Sequence, residues 1–434
     1  MSVAPDQMPM DEELVPGARI GRVRWTICAM LFAATSINYM DRQVISILKP
    51  TLEHSIGMTE VNYSYVVNAF QIAYAVGLLM AGRFVDKVGT RIGYMTIMAI
   101  WSLSAMAHSL ASTVFEFAIA RFALGIGESG NFPAAIKTVA EWFPQSERSL
   151  ATGIFNSGTN LGAILAPLIV PWVTIHYGWH AAFLATGTFS ALWIVWWWRN
   201  YRKPADHPTL TGAELRFIYN EAAAQMGPSV PWLKLLRYRQ TWAFAVGKFL
   251  TDPIWWFYLF WLPSYFSSRF GLDLKHLGLP LILVYNASAV GSIGGGWLPA
   301  LFRKFNVSPA YSRLGAMLLC ALSVVPIFVL PHLNSMWGAI GILGLAAAAH
   351  QGWSANIFTT PSDMFPRSAV GSVTGIGGMA GSVGGALLST FAGQILERTH
   401  SYNSLFLIAG SVYLLALVMI QLLAPGLRKA ELAV

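Results

Sequence analysis

Long apolar runs separated by short polar ones organise the whole chain. Twelve such runs are found, with approximate limits 25–47, 60–82, 90–110, 114–138, 149–171, 180–199, 240–266, 276–302, 311–331, 336–360, 369–394 and 403–424. A helix needs roughly 20 mainly apolar residues to cross the hydrocarbon core, so each run predicts one spanning helix. The runs are unbroken rather than alternating, which argues against the strands of a closed barrel, the other structure able to satisfy its backbone in lipid. The expected fold is an all-α membrane protein of twelve transmembrane helices.

The polar positions give orientation and division. Loops between even and odd spans carry Arg83, Lys87, Arg91, Lys137, Arg148, Arg303, Lys304, Arg313 and Arg367, whereas the opposite loops hold only Lys49, Arg269, Lys275 and Arg398. By the positive-inside rule both termini are expected in the cytoplasm. The run after the polar tail of residues 1–24 is too long for a signal-peptide core, so the tail is expected to be retained. The one long polar stretch, residues 200–239, divides the chain. The expected organisation is therefore a six-helix bundle at 25–199, a central cytoplasmic loop at 200–239, a second bundle at 240–424 and a cytoplasmic tail at 425–434. An internal repeat supports two pseudo-symmetric halves: at a shift of 222 residues, EWFPQSERSLATGI (Glu141 to Ile154) lies over DMFPRSAVGSVTGI (Asp363 to Ile376), and Gly162 falls on Gly384. A direct repeat of this size is expected of transporters whose halves are related by an axis along the membrane normal.

Composition narrows the function classes. Of 434 residues 55% are hydrophobic and 11% charged, with a mean hydropathy of +0.53, against about 25% charged in a soluble domain. The net charge of +8 is distributed in alternate loops, which points to membrane topology and not to a nucleic-acid partner. Cys28 and Cys320, each inside an apolar run, suggest neither a disulfide framework nor a metal site. No Walker lysine, HExxH pair or loop-borne Ser-His-Asp order is present. No enzyme, cofactor or metal is expected, and without ATP machinery transport must draw on ion gradients.

Charged residues within spans are costly and usually mark a pathway or relay. Here they are few: Asp41 and Arg42 on span one, Arg121 and Glu128 on span four, Lys248 and Asp252 on span seven, with His350 on span ten. Arg121 and Glu128, seven apart, share one helix face, as a permanent ion pair or as a site that exchanges protons when the cation is drawn away. Arg42 is the best candidate to grip a substrate carboxylate bidentately, unless it serves as partner to Asp41 or Glu128. Lys248 and Asp252, at i and i+4, either neutralise one another or meet the far end of a substrate. His350, Gln351, Ser354 and Asn356 give span ten a polar face suited to sugar hydroxyls, and Trp255, Trp256, Phe257, Tyr258 and Trp261 could stack on a sugar ring or sit at the membrane interface. Span eleven is rich in glycine from Gly371 to Gly385, a pattern that permits close, sliding helix packing.

The loop GRFVDKVGTR, Gly82 to Arg91, resembles the signature of the major facilitator superfamily, G-x-x-x-D-[RK]-x-G-[RK]-[RK], departing at Thr90. The resemblance gives Gly82, Asp86, Gly89 and Arg91 a conformational role, pinning one cytoplasmically closed state. NYMDR (Asn38 to Arg42), RFALGIGESGNFPAAIK (Arg121 to Lys137) and EWFPQSERSLATGIFNSG (Glu141 to Gly158) look like the anion:cation symporter family, and RYRQTWAF, KFLTDPIWWF, GGWLPALF and AHQGWSANIFTTPSDMFP look most like its bacterial hexuronate transporters. This resemblance implies Glu128 with Arg121 as the proton-coupling pair, Asp41 as a second proton site, and Tyr39 and Tyr74 as lining a sugar-acid site with Arg42. Gly378 and Ser382 stand where some aldonate carriers have asparagines. The implied protein is a monomeric secondary transporter of a bacterial inner membrane. It would import a hexuronate such as glucuronate or galacturonate with H+ by alternating access. Another organic anion, an aldonate, aldarate or other carboxylate, and Na+ are the alternatives.

Overall fold

The computed structural model describes residues 21–220 and 232–431; the expected tail segment 1–20, residues 221–231 of the central loop and residues 432–434 lie outside them. Among the described residues there is no strand. The first half comprises α1 (Val23–Ile56), α2 (Glu60–Val88), α3 (Thr90–Ala107), α4 (Val114–Ser129), α5 (Asn131–Trp142), α6 (Gln145–Tyr177) and α7 (Trp179–Asn200). Two short helices, α8 (Gly212–Asn220) and α9 (Trp232–Leu235), lie in the linker. The second half comprises α10 (Arg239–Phe270), α11 (Gly278–Arg303), α12 (Pro309–Val324), α13 (Met336–Ile357), α14 (Thr360–Met364), α15 (Arg367–Thr399) and α16 (Asn403–Leu423).

These segments make the twelve expected spans, with three interruptions that periodicity did not reveal. Span four is broken at Gly130 into α4 and α5. Span nine continues beyond α12 as a 3-10 helix, Val325–His332, where Pro326 and Pro331 withhold the backbone donors an α-helix needs. Span ten is divided between α13 and α14. Among the described residues six helices are long and apolar enough to cross a membrane on length and composition alone, and α2 is a seventh if its bent parts are counted together. Of the remaining spans, α1, α4 and α10 carry the buried charges. Leu103, Phe115, Val290 and Ile293 are each more than two-thirds exposed on the outer surface, as side chains meeting lipid would be.

Helix ends follow local chemistry. Thr113 accepts from the Glu116 amide and Glu116 answers with its carboxylate, a capping box that starts α4. Gly89, at φ +89°, turns the chain directly from α2 into α3, a conformation that favours glycine. The sequence repeat is also a structural one: Phe143 and Pro144 end α5 and open α6, and Phe365 and Pro366 end α14 and open α15, with Pro144 and Pro366 both extended at ψ 157° and 155°. Lys49 is not a loop charge; it is buried near the end of α1 between Glu53 and Glu60, 2.5 Å from each.

We refer to the side bearing the linker and the first turn of α1 as the linker face. Side-chain hydrogen bonds between the halves, among the described residues, lie toward the opposite, far face. Tyr63 Oη donates to Phe260 O (2.8 Å), Asn68 Nδ2 to Thr390 Oγ1 (2.7 Å) and Gln71 Nε2 to Ser389 Oγ (3.1 Å), while the Val61 N–H donates to the Glu397 carboxylate (3.2 Å). On α15 the face that meets Gln71 and Trp256 at Gly385 repeats every seven residues toward the linker face at Gly378 and Gly371. A Cβ built at either of those meets nothing within 4 Å. The halves are thus shut against each other at the far face and part toward the linker face.

Candidate functional site

At the floor of this gap the one-residue step from Asp41 to Arg42 sends two charges in different directions, as the 100° helical turn requires. Arg42 Nε donates to Glu128 Oε2 at 2.6 Å, joining α1 to α4. The two side chains are 2% and 0% exposed, so the pair is desolvated, and its Arg42 Nη2 and Glu128 Oε1 are fully buried with no hydrogen-bond partner among the described residues. Arg42 is also surrounded by aromatic faces: Tyr39 at 4.8 Å, Phe70 at 5.4 Å, Tyr74 at 4.6 Å and Trp256 at 5.3 Å from Cζ to ring centre. Trp256 comes from α10 and is the second half's contribution to the enclosure. It packs edge-on to both Phe70 and Tyr74 at 6.3 Å, which is how the floor of the gap is sealed. Such rings favour a cation electrostatically while excluding water.

Asp41 points into the first bundle, away from the second half. Its Oδ2 accepts from Trp101 Nε1 on α3 (2.5 Å) and Ser190 Oγ on α7 (3.4 Å). Arg121, expected beside Glu128, instead donates through Nη2 to the Arg42 carbonyl at 3.3 Å and stacks on Phe70. Seven-residue spacing placed Arg121 and Glu128 on one face, but the contact that Glu128 makes is across helices. Asp41, Arg42, Arg121 and Glu128 nevertheless form one buried group. α1 reaches this position because α6 packs against it without side chains between them: a Cβ on Gly162 would lie 2.1 Å from Ser36 O and 2.9 Å from Tyr39 Cβ.

In the second half Lys248 Nζ and Asp252 Oδ2 pair at 2.7 Å along α10, and the ammonium lies 3.6 Å from the centre of the Phe358 ring. Asp252 leans against α15 at Gly381. His350 lies flat on Trp255, 5.2 Å between ring centres at 6°, with Nδ1 2.6 Å from Tyr413 Oη. Gln351 and Ser354 are half-buried. Asn356 turns away from this group: its Nδ2 donates to Gly295 O (2.7 Å) and Gly352 O (2.8 Å), fastening α13 to α11. Sequence reasoning missed Trp101, Phe70 and Tyr413, aromatic residues in a chain full of them whose site partners Asp41, Arg42 and His350 lie 28 to 63 residues away. The apolar groove lined by Gly291, Leu319, Cys320 and Gly352 between α11, α12 and α13 holds none of the candidate side chains.

The signature loop lies on the linker face. Asp86 accepts from Lys137 Nζ at 2.7 Å, Arg91 donates to Trp198 O at 2.8 Å, and a Cβ on Gly82 would meet nothing within 4 Å. All these contacts stay within the first half, which agrees with a linker face that is open. Thr90, where the signature has a basic residue, donates to Glu141 at 2.6 Å.

The geometry is matched by sequence and fold comparisons. The sequence model of the Major Facilitator Superfamily matches residues 31–389. The chain is 32% identical over 412 residues to the hexuronate transporter of Escherichia coli K12, covering 93% of this chain and 94% of that protein. It is 33% identical over 325 residues to the galacturonate transporter of Dickeya chrysanthemi, covering 72% and 94%. Among solved structures, a D-xylose-proton symporter matches at a TM-score of 0.75 over 94% of this chain and 99% of that one. A bacterial homolog of the human lysosomal transporter Spinster, inward-facing and occupied, matches at 0.74 over 95% and 100%. Both are 15% identical and speak to the fold alone. Twelve spanning helices in two repeated halves, the signature loop and these matches together place the chain in the major facilitator superfamily, as a multi-pass membrane transporter and not an enzyme.

Proposed function

We propose that the protein imports a hexuronate, glucuronate or galacturonate, by proton symport, and that Glu128 and the substrate carboxylate compete for Arg42. The observation that carries this reading is the buried Arg42–Glu128 pair at the floor of the gap. A substrate carboxylate can take the guanidinium only if Glu128 lets go, and protonation is what makes Glu128 let go without stranding a bare charge in low dielectric. Proton and anion therefore each favour binding of the other, and the site's net charge is the same before and after both have bound. That reciprocal preference is the thermodynamic content of symport.

The similarity to hexuronate and galacturonate transporters supports the substrate class. Tyr39 and Tyr74 flank Arg42 and would direct the carboxylate. Lys248, Asp252, His350, Gln351 and Ser354 would meet the rest of the sugar acid from the second half. Asp41 and Arg121 act behind the pair, Asp41 as a second proton site. Asn356 serves to hold α13 rather than to bind cargo. The basic loops of the linker face support a reading in which that face and both termini lie in the cytoplasm of a bacterial inner membrane. The present arrangement is then the inward-open member of an alternating-access cycle, and closing the linker face would call on Gly82, Asp86, Gly89 and Arg91. We take the functional unit to be the monomer.

Uptake of labelled galacturonate into proteoliposomes under an imposed pH gradient, acid outside, tests this. Wild type is expected to accumulate substrate against its gradient. Glu128→Gln is expected to lose driven accumulation while retaining exchange of labelled for unlabelled substrate. Accumulation that ignores the pH gradient and follows a sodium gradient, or that survives Glu128→Gln, overturns the coupling.

A further inference from the structure

Resting on the hexuronate reading above, we infer that Tyr413 is a positioning residue that fixes His350 as a hydrogen-bond donor to a ring hydroxyl of the sugar acid, and so selects among hexuronate epimers. Tyr413 sits on α16, fully buried and held edge-on by Trp353 at 5.5 Å. Its hydroxyl is 2.6 Å from His350 Nδ1 and, among the described residues, has no other hydrogen-bond partner. Two arrangements of a neutral imidazole satisfy that distance. If Nδ1 carried the proton, the phenol would accept and its own O–H would be buried without an acceptor, which is costly. If the phenol donates to Nδ1, both the buried O–H and Nδ1 are satisfied, and the ring proton lies on Nε2, free to meet a ligand.

Among the described residues Nε2 has no hydrogen bond to protein, yet it is absent from the fully buried unpartnered atoms. It therefore keeps a little exposed surface on a residue that is otherwise 3% exposed, and Trp255, on which the ring stacks, and the next residue Trp256 each keep 9%. The Trp255 stack fixes the plane of the ring, and Tyr413 fixes its rotation and tautomer. The result is a single N–H of set direction next to an indole face, the pairing that reads one hydroxyl on a sugar ring lying against an aromatic. A donor with a fixed direction distinguishes epimers, because an inverted hydroxyl leaves it unpaired.

Purified protein is titrated with galacturonate, glucuronate and mannuronate. Wild type is expected to rank the three. Tyr413→Phe, which removes one oxygen and no volume from the packing, is expected to weaken the preferred epimer about 3- to 10-fold and compress the ranking. His350→Gln, whose amide N–H can reach near the Nε2 position, is expected to keep part of the ranking, and His350→Phe to lose it. The Tyr413→Phe change made on top of His350→Gln is expected to have no further effect. A ranking that survives Tyr413→Phe, additive effects of the two changes, or a wild type that binds all three alike overturns the inference. Should Tyr413→Phe fail to fold, the His350→Gln and His350→Phe pair decides, equal rankings overturning it. A wild type that binds none of the three is a different result, and it removes the hexuronate reading itself.

Discussion

Where the first half holds Glu128 against Arg42, the second holds His350 against Trp255. Glu128 and His350 are 222 residues apart, the shift of the sequence repeat. Gly162 and Gly384, at the same shift, pack over Ser36 O and Phe249 O respectively, which sets α1 against α10 at an offset of 213 and brings Arg42 opposite Trp255. At these equivalent positions one scaffold thus presents an ion pair between helices on one side of the gap and a stacked, uncharged pair on the other, the second half's own ion pair, Lys248–Asp252, lying along α10 alone. A monoanionic sugar acid has the same asymmetry, one charged end and one hydroxylated body. On the proposed reading the Arg42–Glu128 pair is the one whose partner is exchanged, and the His350–Trp255 stack needs no exchange.

The largest expected effect comes from breaking the charged side. Arg42→Met leaves the Glu128 carboxylate in the bundle without its cation and is expected to cost about 3–5 kcal/mol of stability, as removal of one member of a buried pair does, together with substrate binding. Trp255→Phe keeps a ring over His350 and is expected to cost about 1 kcal/mol. Thermal unfolding of the two variants in detergent, with and without galacturonate, measures both. Equal losses would erase the distinction between the halves.

Next in size are the glycines that define the correspondence. A Cβ at Gly162 would lie 2.1 Å from Ser36 O, and one at Gly384 2.3 Å from Phe249 O. Gly162→Ala and Gly384→Ala must each push a helix off its neighbour, at about 1–3 kcal/mol. Comparable shifts in unfolding temperature support the equivalence of α6 and α15, and a silent Gly384→Ala would refute it.

Two tryptophans sharpen the comparison further. Trp101 Nε1 donates to the Asp41 carboxylate in the first half, and Trp353 Nε1 donates to Thr251 Oγ1 at 3.1 Å in the second. Trp101→His, short of the reach of the indole, leaves the buried Asp41 Oδ2 with only the long Ser190 Oγ bond of 3.4 Å and is expected to cost more than Trp353→His by about the margin between charged and neutral hydrogen bonds, roughly 1 kcal/mol. The same unfolding assay reads it, and a larger loss from Trp353→His would count against a charged Asp41.

Much of this was legible in the sequence, for physical reasons. Membrane spans declare themselves because lipid demands unbroken apolar runs, and charges within them stand out because so few are tolerated. Asp41, Arg42, Arg121, Glu128, Lys248 and Asp252 were therefore readable one by one. Their pairing was readable only where it is local: Lys248 and Asp252 meet along one helix, as the i,i+4 spacing says. Glu128 takes Arg42, 86 residues away, in preference to Arg121 seven away on its own face, and helical periodicity has no term for that. Tyr413 carried no signal because a tyrosine in an apolar run looks like any other, and sequence could not show that the Asn356 amide meets the Gly295 and Gly352 carbonyls, because a polar residue on a spanning helix can serve a neighbouring carbonyl as readily as a cargo. The breaks at Gly130 and before α14 were hidden for a related reason, since an interrupted helix keeps the composition of a continuous one.

The smallest expected effect separates the halves at their linker-face ends. Glu141 and Asp363 are 222 residues apart, as are Arg91 and Arg313. In the second half Arg313 pairs with Asp363; in the first, Arg91 is turned to Trp198 O, and Glu141 is held by the hydroxyls of Thr90 and Tyr201 at 2.6 and 2.5 Å. The Arg313–Asp363 pair is part-exposed, with 18% and 34% of its side-chain surface open, so solvent screening limits its worth to under about 1 kcal/mol. Asp363→Asn is expected to lower the unfolding temperature slightly at low ionic strength and hardly at all in about 1 M salt, where the Debye length falls to about 3 Å. Tyr201→Phe removes a hydroxyl donor from Glu141 whose contribution does not depend on a second ion, so its loss is expected to be the same at both salt concentrations. A salt-dependent Tyr201→Phe, or a salt-independent Asp363→Asn, would mean that the two linker-face ends are held by the same kind of interaction after all, and that the asymmetry between the halves is confined to the floor of the gap.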